Sequence, residues 1–222
     1  MNHGQLEELK KLLPVIPRIH GKEERFRSAV LVLLIFLDGE YHFIFQKRSS
    51  QIRQGGDVCF PGGQIDPQKD RNSEETAIRE TIEELGIPKD KLSIVGKLDT
   101  VVAAMGAIVD AFVAIADLKG LEEIKINPKE VEYVFTVPVS YFEKYEPKEY
   151  QTIVRVHPSY IDEEGKEVIL FPAKELGLPE RYTKPWGEAI NKMLVYQVQN
   201  ETIWGITAKF IYDVANKLKK LI

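Results

Sequence analysis

Three glutamates, Glu80, Glu83 and Glu84, stand at i, i+3 and i+4 of one short segment. At 3.6 residues per turn they share a stripe about 100° wide, while Ile78, Ile82 and Leu85 fall on the opposite side. The segment therefore reads as a helix with one acidic and one apolar face. Phe60-Pro61-Gly62-Gly63 leads towards it, and the two glycines let backbone approach a ligand closely. Gly86 can end it in a left-handed conformation. Stacked like charges destabilise a helix unless a cation sits among them. A Glu-rich stripe is commonly just a solvated face. The glycine turn before it and the glycine stop after it favour a bound ion, and an all-oxygen donor set suits Mg²⁺ or Mn²⁺.

Around this helix the chain alternates strand and turn signals. Leu6, Leu9, Leu12 and Leu13 are helically spaced, Pro14 and Pro17 end that pattern, and the helix is expected to pack on the domain. Ala29–Leu37 and Tyr41–Lys47 flank Asp38-Gly39-Glu40, a hairpin signal. Asp57–Phe60 reads as a short strand. Asn72 or Ser73 can cap the acidic helix, with Glu75, three residues after Asn72, completing a capping box. Leu92–Val102 and Ile108–Ala116 read as two strands, Val131–Val137 as a third, and Val139–Lys144 as a short helix. Gln151–His157 and Glu167–Leu170 suggest a hairpin around Asp162–Gly165, Glu188–Tyr196 a helix, and Thr207–Leu221 a last helix with a lysine-rich end. Strands mixed with few helices indicate α+β.

The 222 residues suit one generous domain. A net charge of −4 supplies no basic stripe for nucleic acid. The single Cys59 excludes an internal disulfide framework and fits a reducing compartment, where it reads as a small core residue. The N-terminus shows no signal-peptide pattern, and the longest apolar run is too short for a membrane span. A cytoplasmic protein is expected. The four histidines, His3, His20, His42 and His157, share no metal-ligand spacing.

Arg79-Glu80-Thr81-Ile82-Glu83-Glu84-Leu85-Gly86-Ile87 resembles the second half of the Nudix box of the Nudix hydrolases, G-x5-E-x7-R-E-U-x-E-E-x-G-U, where U is apolar. The first half departs from it. Residues 64–78 make the loop two residues longer than the pattern, and Asp70 is the nearest acid to the expected Glu, whose family role is to brace the Arg. Upstream, Arg48, Ser49, Arg53, Gly56, Val58 and Phe60-Pro61-Gly62-Gly63 are similar to the added signature of the coenzyme A pyrophosphatase branch, LLTxRSxxxRxxxGxVxFPGG. Its opening Leu-Leu-Thr is replaced here by Phe45-Gln46-Lys47, and the gap from Arg53 to Gly56 is one residue short. Asn127-Pro128-Lys129-Glu130-Val131 with Phe135-Thr136-Val137-Pro138, and Ile203-Trp204-Gly205-Ile206-Thr207-Ala208, resemble two further segments of that branch.

The resemblance implies an α/β/α sandwich, with a mixed β-sheet between helices. It divides the chain into an N-terminal helical extension, 1–24, and a Nudix domain, 25–222, with an insertion-like region at about 145–202. It implies hydrolysis of a nucleoside diphosphate linked to another group. Glu80, Glu83 and Glu84 would be ligands to Mg²⁺ or Mn²⁺, with the Gly63 carbonyl. Arg79 would point away from the metal and hold a carboxylate in place. Glu83 or Glu130 would be the general base. Arg48 and Arg53 offer forked donors for phosphate oxygens beside Gly62 and Gly63. The expected substrate is coenzyme A or a thioester, giving 3′,5′-ADP and 4′-phosphopantetheine. ADP-ribose, a dinucleotide or an oxidised nucleotide is the alternative, and a nucleotide-binding module without catalysis is a third reading. Homodimerisation is common in the family, and the N-terminal helix is a candidate surface for it.

Overall fold

The structure is a computed structural model that describes residues 2–16 and 19–220. Pro17 and Leu221, invoked above as helix punctuation and as the end of the last helix, lie outside them. The run Arg27–Leu37 (β1) is apolar at nearly every position because both of its faces are buried. It turns at Asp38 and Gly39, both with positive φ, into Glu40–Arg48 (β2). The two strands pair only near the turn, from Leu34↔Phe43 to Leu37↔Glu40. Beyond that they part. Val58–Cys59 (β3) pairs with β2, and Gly62–Gln64 (β4) pairs with β1. The Phe60–Gly63 turn thus sits in the fork between the two longest strands of the hairpin.

Ile108–Ala116 (β7) runs parallel to β1 on its other edge. Leu92–Lys97 (β5) and Val101–Val102 (β6) pair with β7. The single strand expected over 92–102 is therefore broken in two. Val131–Pro138 (β8) pairs with β2 and completes an eight-stranded mixed sheet.

Helices cover both faces. Ser73–Leu85 (α2) packs on one, where Ala29, Leu31, Leu33, Ile35, Ala77, Leu85 and Phe112 form a core. Val139–Lys144 (α3) and Gly205–Lys219 (α4) cover the other, over Phe43, Phe45, Phe60, Phe142, Phe210 and Ile211. Odd and even positions of β1 serve opposite cores, as strand alternation requires. The fold is α+β with the expected mixed sheet between helices.

The remainder differs from expectation in three places. Glu188–Tyr196 is not a helix: Trp186–Val198 (β12) is a strand between Lys148–Val156 (β9) and Glu201–Trp204 (β13). Its Leu194, Tyr196 and Val198 alternate inward. The good helix formers Glu188, Ala189, Lys192 and Met193 are overridden by this pairing. The hairpin around Asp162–Gly165 joins Ser159–Ile161 (β10) to Glu167–Ile169 (β11), not residues 151–157. His3–Leu12 (α1) forms with Asn2 as its cap, yet buries none of its residues, so it does not pack on the domain.

Candidate functional site

The site lies where α2 passes the Phe60–Gly63 turn. Asn72 caps the helix by accepting from the Glu75 N–H at 2.9 Å. The expected capping box is only half made, because the Glu75 carboxylate accepts from the Arg71 N–H and guanidinium instead of turning back to Asn72. At the far end Gly86 adopts φ 64°, and the chain that follows is folded back against it. Lys125 N–H donates to the Leu85 carbonyl at 2.9 Å, and Asn127 N–H donates to the Glu84 carbonyl at 2.8 Å. These bonds satisfy orphan carbonyls of the last turn. They also deliver the 127–130 loop to the acidic side of α2.

The apolar spacing holds for Ile78 and Leu85, which are buried, but the buried side is turned from Ile82 towards the acidic stripe. Ile82 is 37% exposed, while Glu84 is 2% exposed. The acidic stripe abuts the sheet along its Glu84 margin. One Glu84 oxygen accepts the Gly62 N–H at 2.9 Å. Burial pushes the Glu84 carboxyl up to about 7, against the lowering pull of the Gly62 N–H and of Gln46. Glu80 is also pushed up, chiefly by burial, with Glu83 and Glu130 adding to the rise and Arg79 opposing it. The Glu130 carboxylate, close enough to add to the rise of Glu80, accepts from Asn127 Nδ2 at 3.2 Å. A Cβ on Gly62 would come within 2.7 Å of Val30 Cα, and one on Gly63 would collide with the Glu80 carboxyl. Both glycines are required by close approach.

Arg79 departs from its expected direction. Its Nε and Nη2 donate to the two Asp70 oxygens, each at 2.9 Å. Nη1 reaches the carboxylates themselves, Glu80 at 2.8 Å and Glu83 at 3.1 Å. The lengthened loop thus folds so that Asp70 meets Arg79 as a forked pair. Thr76 Oγ1 and the Asp66 N–H also donate to Asp70, at 2.8 and 3.2 Å. The Arg79 guanidinium, with these bonds, holds the Asp70 carboxyl down at about 2.

Arg48 leaves the end of β2 towards the site and donates to the Arg53 carbonyl at 3.2 Å, while its Nε is buried without a partner. Arg53 itself is exposed on the 49–57 loop. The other resemblances converge here. Ser49 N–H donates to the Glu130 carbonyl at 2.9 Å, and Trp204 Nε1 donates to Asp57 at 3.2 Å. Gln46, unnoticed as a site residue in the sequence, is fully buried. Its Nε2 lies 3.6 Å from Cys59 Sγ, its Oε1 lacks a partner, and it draws the Glu84 pKa down. Cys59 is partly buried, and its thiol is pushed up to about 11, mainly by burial.

Among the described residues no three His, Cys, Asp or Glu side chains converge as a metal-holding group. Glu83 instead turns to Arg79 with half its side chain exposed. The chemistry of the donor set still fits a hard cation. Glu80 and Glu84 are carboxylates whose burial disfavours their charge, and the Glu80 carboxyl lies against the Gly63 backbone, so the donors this corner offers a cation are hard oxygens. No helix among the described residues is long and apolar enough to cross a membrane.

With that geometry established, comparison with known proteins is informative. The NUDIX domain profile matches residues 25–189. Nudix hydrolase 3 of Caenorhabditis elegans is 39% identical over 142 residues, 60% of this chain and 58% of that protein. The uncharacterized Nudix hydrolase NudL of Photorhabdus laumondii is 27% identical over 87% of this chain and 86% of its own length. The peroxisomal coenzyme A diphosphatase NUDT7 of Mus musculus is 36% identical over 52% of this chain and 48% of its own. The chain spans about half the length of the last and under two thirds of the first.

Proposed function

The chain belongs to the Nudix family, and from that premise we propose that it is a divalent-metal-dependent pyrophosphohydrolase acting on a nucleoside diphosphate linked to a second group, with coenzyme A or its thioesters as substrate. The observation that carries this reading is the seating of Glu80 and Glu84 against the backbone of Gly62 and Gly63. Glu80, Glu83 and Glu84, with the Gly63 carbonyl, would hold Mg²⁺ or Mn²⁺. A bound ion supplies screening of the phosphate oxygens and a lowered pKa for water.

The protein's own groups do the rest. Asp70 fixes Arg79, and Arg79 orients Glu80 and Glu83 and offsets their repulsion until substrate arrives. Glu130, on its own loop, or Glu83 on the helix would take the proton of the attacking water. Arg48 and Arg53 bind phosphate oxygens. Water adds to one phosphorus, the bridging P–O bond breaks, and the products are 3′,5′-ADP and 4′-phosphopantetheine.

The coenzyme A assignment draws on the convergence of the 48–63, 127–138 and 203–208 segments and on the similarity to NUDT7. The departures at Phe45-Gln46-Lys47 and in the 64–78 loop favour a second reading, a Nudix pyrophosphatase on ADP-ribose or a dinucleotide. Incubation with Mg²⁺ or Mn²⁺ and coenzyme A, acetyl-coenzyme A, ADP-ribose and NADH, with products resolved by chromatography, separates them. Release of 3′,5′-ADP from the first two supports the coenzyme A reading. Turnover of ADP-ribose or NADH alone replaces it with the second, and no turnover at all defeats both.

A further inference from the structure

Strand β13 pairs with β12 only over Val195–Val198, so the rest of β12 and nearly all of β9 form a ribbon two strands wide. No residue of β9 is fully buried, and all but Val154 are exposed. Ile153 and Ile190, opposite each other on one side, are 63% and 68% exposed, and Tyr150 is exposed on the other side. A two-stranded ribbon is marginally stable in water, and an unpaired edge carrying β-branched residues is a template for another strand. Exposed apolar residues gathered on one element mark a surface to be covered.

We propose that β9 pairs antiparallel with β9 of a second copy of this chain about a two-fold axis through Thr152, making one continuous four-stranded sheet from the two ribbons. The charge pattern selects both occupant and register. About Thr152, Glu149 stands opposite Arg155 of the second copy, and Tyr150 opposite Val154 of the second copy. Within the chain Glu149 accepts from Lys192 at 3.2 Å, and Arg155 is paired with Glu188. The dimer therefore builds two rows of alternating charge, Lys192–Glu149 continuing into Arg155–Glu188 of the second copy, and the reverse. Centring the pairing on Gln151 sets Glu149 opposite Ile153 and loses the rows. A two-fold contact uses one patch twice, as this self-complementary strand allows.

The test is mass by light scattering, together with oxidative cross-linking of Thr152→Cys. The unaltered chain, whose only cysteine is Cys59, serves as the control. Directly opposed antiparallel residues lie roughly 4.5–5.5 Å apart at Cα, within disulfide reach. The expected mass is twice the 25.4 kDa of one chain. Thr152→Cys should cross-link to near completion. Ile153→Cys alone should not, but should cross-link when mixed with Gln151→Cys. Arg155→Glu should return the protein to single-chain mass, and Glu149→Arg with Arg155→Glu should restore the dimer. A single-chain mass for the unaltered protein overturns the proposal. So does a dimer in which Thr152→Cys cross-links no better than Ile153→Cys.

Discussion

Helix α2 and the β9–β12 ribbon depart from ordinary side-chain placement in opposite senses. On α2 a carboxylate, Glu84, is buried while the neighbouring Ile82 is exposed. On the ribbon Ile153 and Ile190 face water while the charges of Glu149, Arg155, Glu188 and Lys192 pair beside them. Burying a carboxylate is costly, and a fold tolerates that cost where a ligand of opposite charge is to be received. Exposing isoleucine costs little in one chain, and here it lies beside the open edge of β9 that a second copy is proposed to pair. The first departure stores destabilisation at a site, and the second leaves a surface incomplete. They should therefore respond differently to substitution, pH and metal.

The largest contrast is expected at Glu84. Glu84→Gln should lower kcat/KM by about a thousandfold, roughly 4 kcal/mol of barrier, since one carboxylate ligand is lost. The same change should raise the melting temperature in chelator at pH 8, because the amide still accepts from Gly62 and no longer carries a buried charge. Activity assays and calorimetry on one preparation check both signs. An unchanged kcat/KM would remove Glu84 from the metal site.

Next comes pH. The Glu84 carboxyl is raised in the fold from 4.5 to about 7, so the folded chain holds a proton that the unfolded chain has released. Its contribution to stability is present below pH 4.5 and is lost as pH rises towards 7, by up to about 3 kcal/mol. Asp70, held down at about 2, acts in the opposite direction but over a lower range: its contribution is present above about pH 4 and is lost as pH falls through 2. Denaturant titrations in chelator between pH 5 and 8 should therefore show the Glu84 loss undisturbed by Asp70. Adding Mn²⁺ at pH 8 should reverse it. A pH-independent midpoint would mean that Glu84 is not desolvated in solution.

Asp70 gives a smaller effect, read first in stability. Asp70→Asn breaks the forked pair with Arg79 and leaves the guanidinium with Glu80 and Glu83 alone. Arg79 keeps about a fifth of its side chain in water, so the loss should be about 2 kcal/mol, below the roughly 3–5 of a fully buried pair. For a chain of this length that is a fall of roughly 4–8 °C in melting temperature. A fall in activity larger than the loss of folded protein would show that Asp70 also positions the carboxylates through Arg79.

The two regions were unequally legible in the sequence. Glu80, Glu83, Glu84 and Gly86 were readable because helical spacing and a glycine stop are local signals. Burial of Glu84 was not, because a helical wheel fixes which residues share a stripe but not which margin meets the sheet. Arg79 meeting Glu83 is an ordinary i,i+4 helix pair, whereas its forked pair with Asp70 depends on how the two extra loop residues fold, which no spacing encodes. Gln46 did leave a signal, a lone polar residue closing the apolar run Phe43-Ile44-Phe45. In the ribbon, Glu188, Ala189, Lys192 and Met193 favour a helix locally, and only the distant partner β9 makes them a strand. Long-range pairing of that kind is the part a single sequence conceals.

The smallest expected effect sharpens the comparison most. Ile190 lies on the face of the ribbon, one strand in from the edge proposed to pair. If only the edge is covered, Ile190→Ser should change stability by less than about 0.5 kcal/mol and leave kcat/KM and the oligomer mass unchanged, as for an ordinary surface position. Denaturant unfolding at two protein concentrations reads this. A loss above about 1 kcal/mol that shrinks as the protein is diluted and the unaltered dimer dissociates would mean that the apolar face, as well as the edge, is buried by a second copy. The exposure of Ile153 and Ile190 would then be a property of the isolated chain, and the ribbon would resemble α2 after all, as a region completed by what it binds.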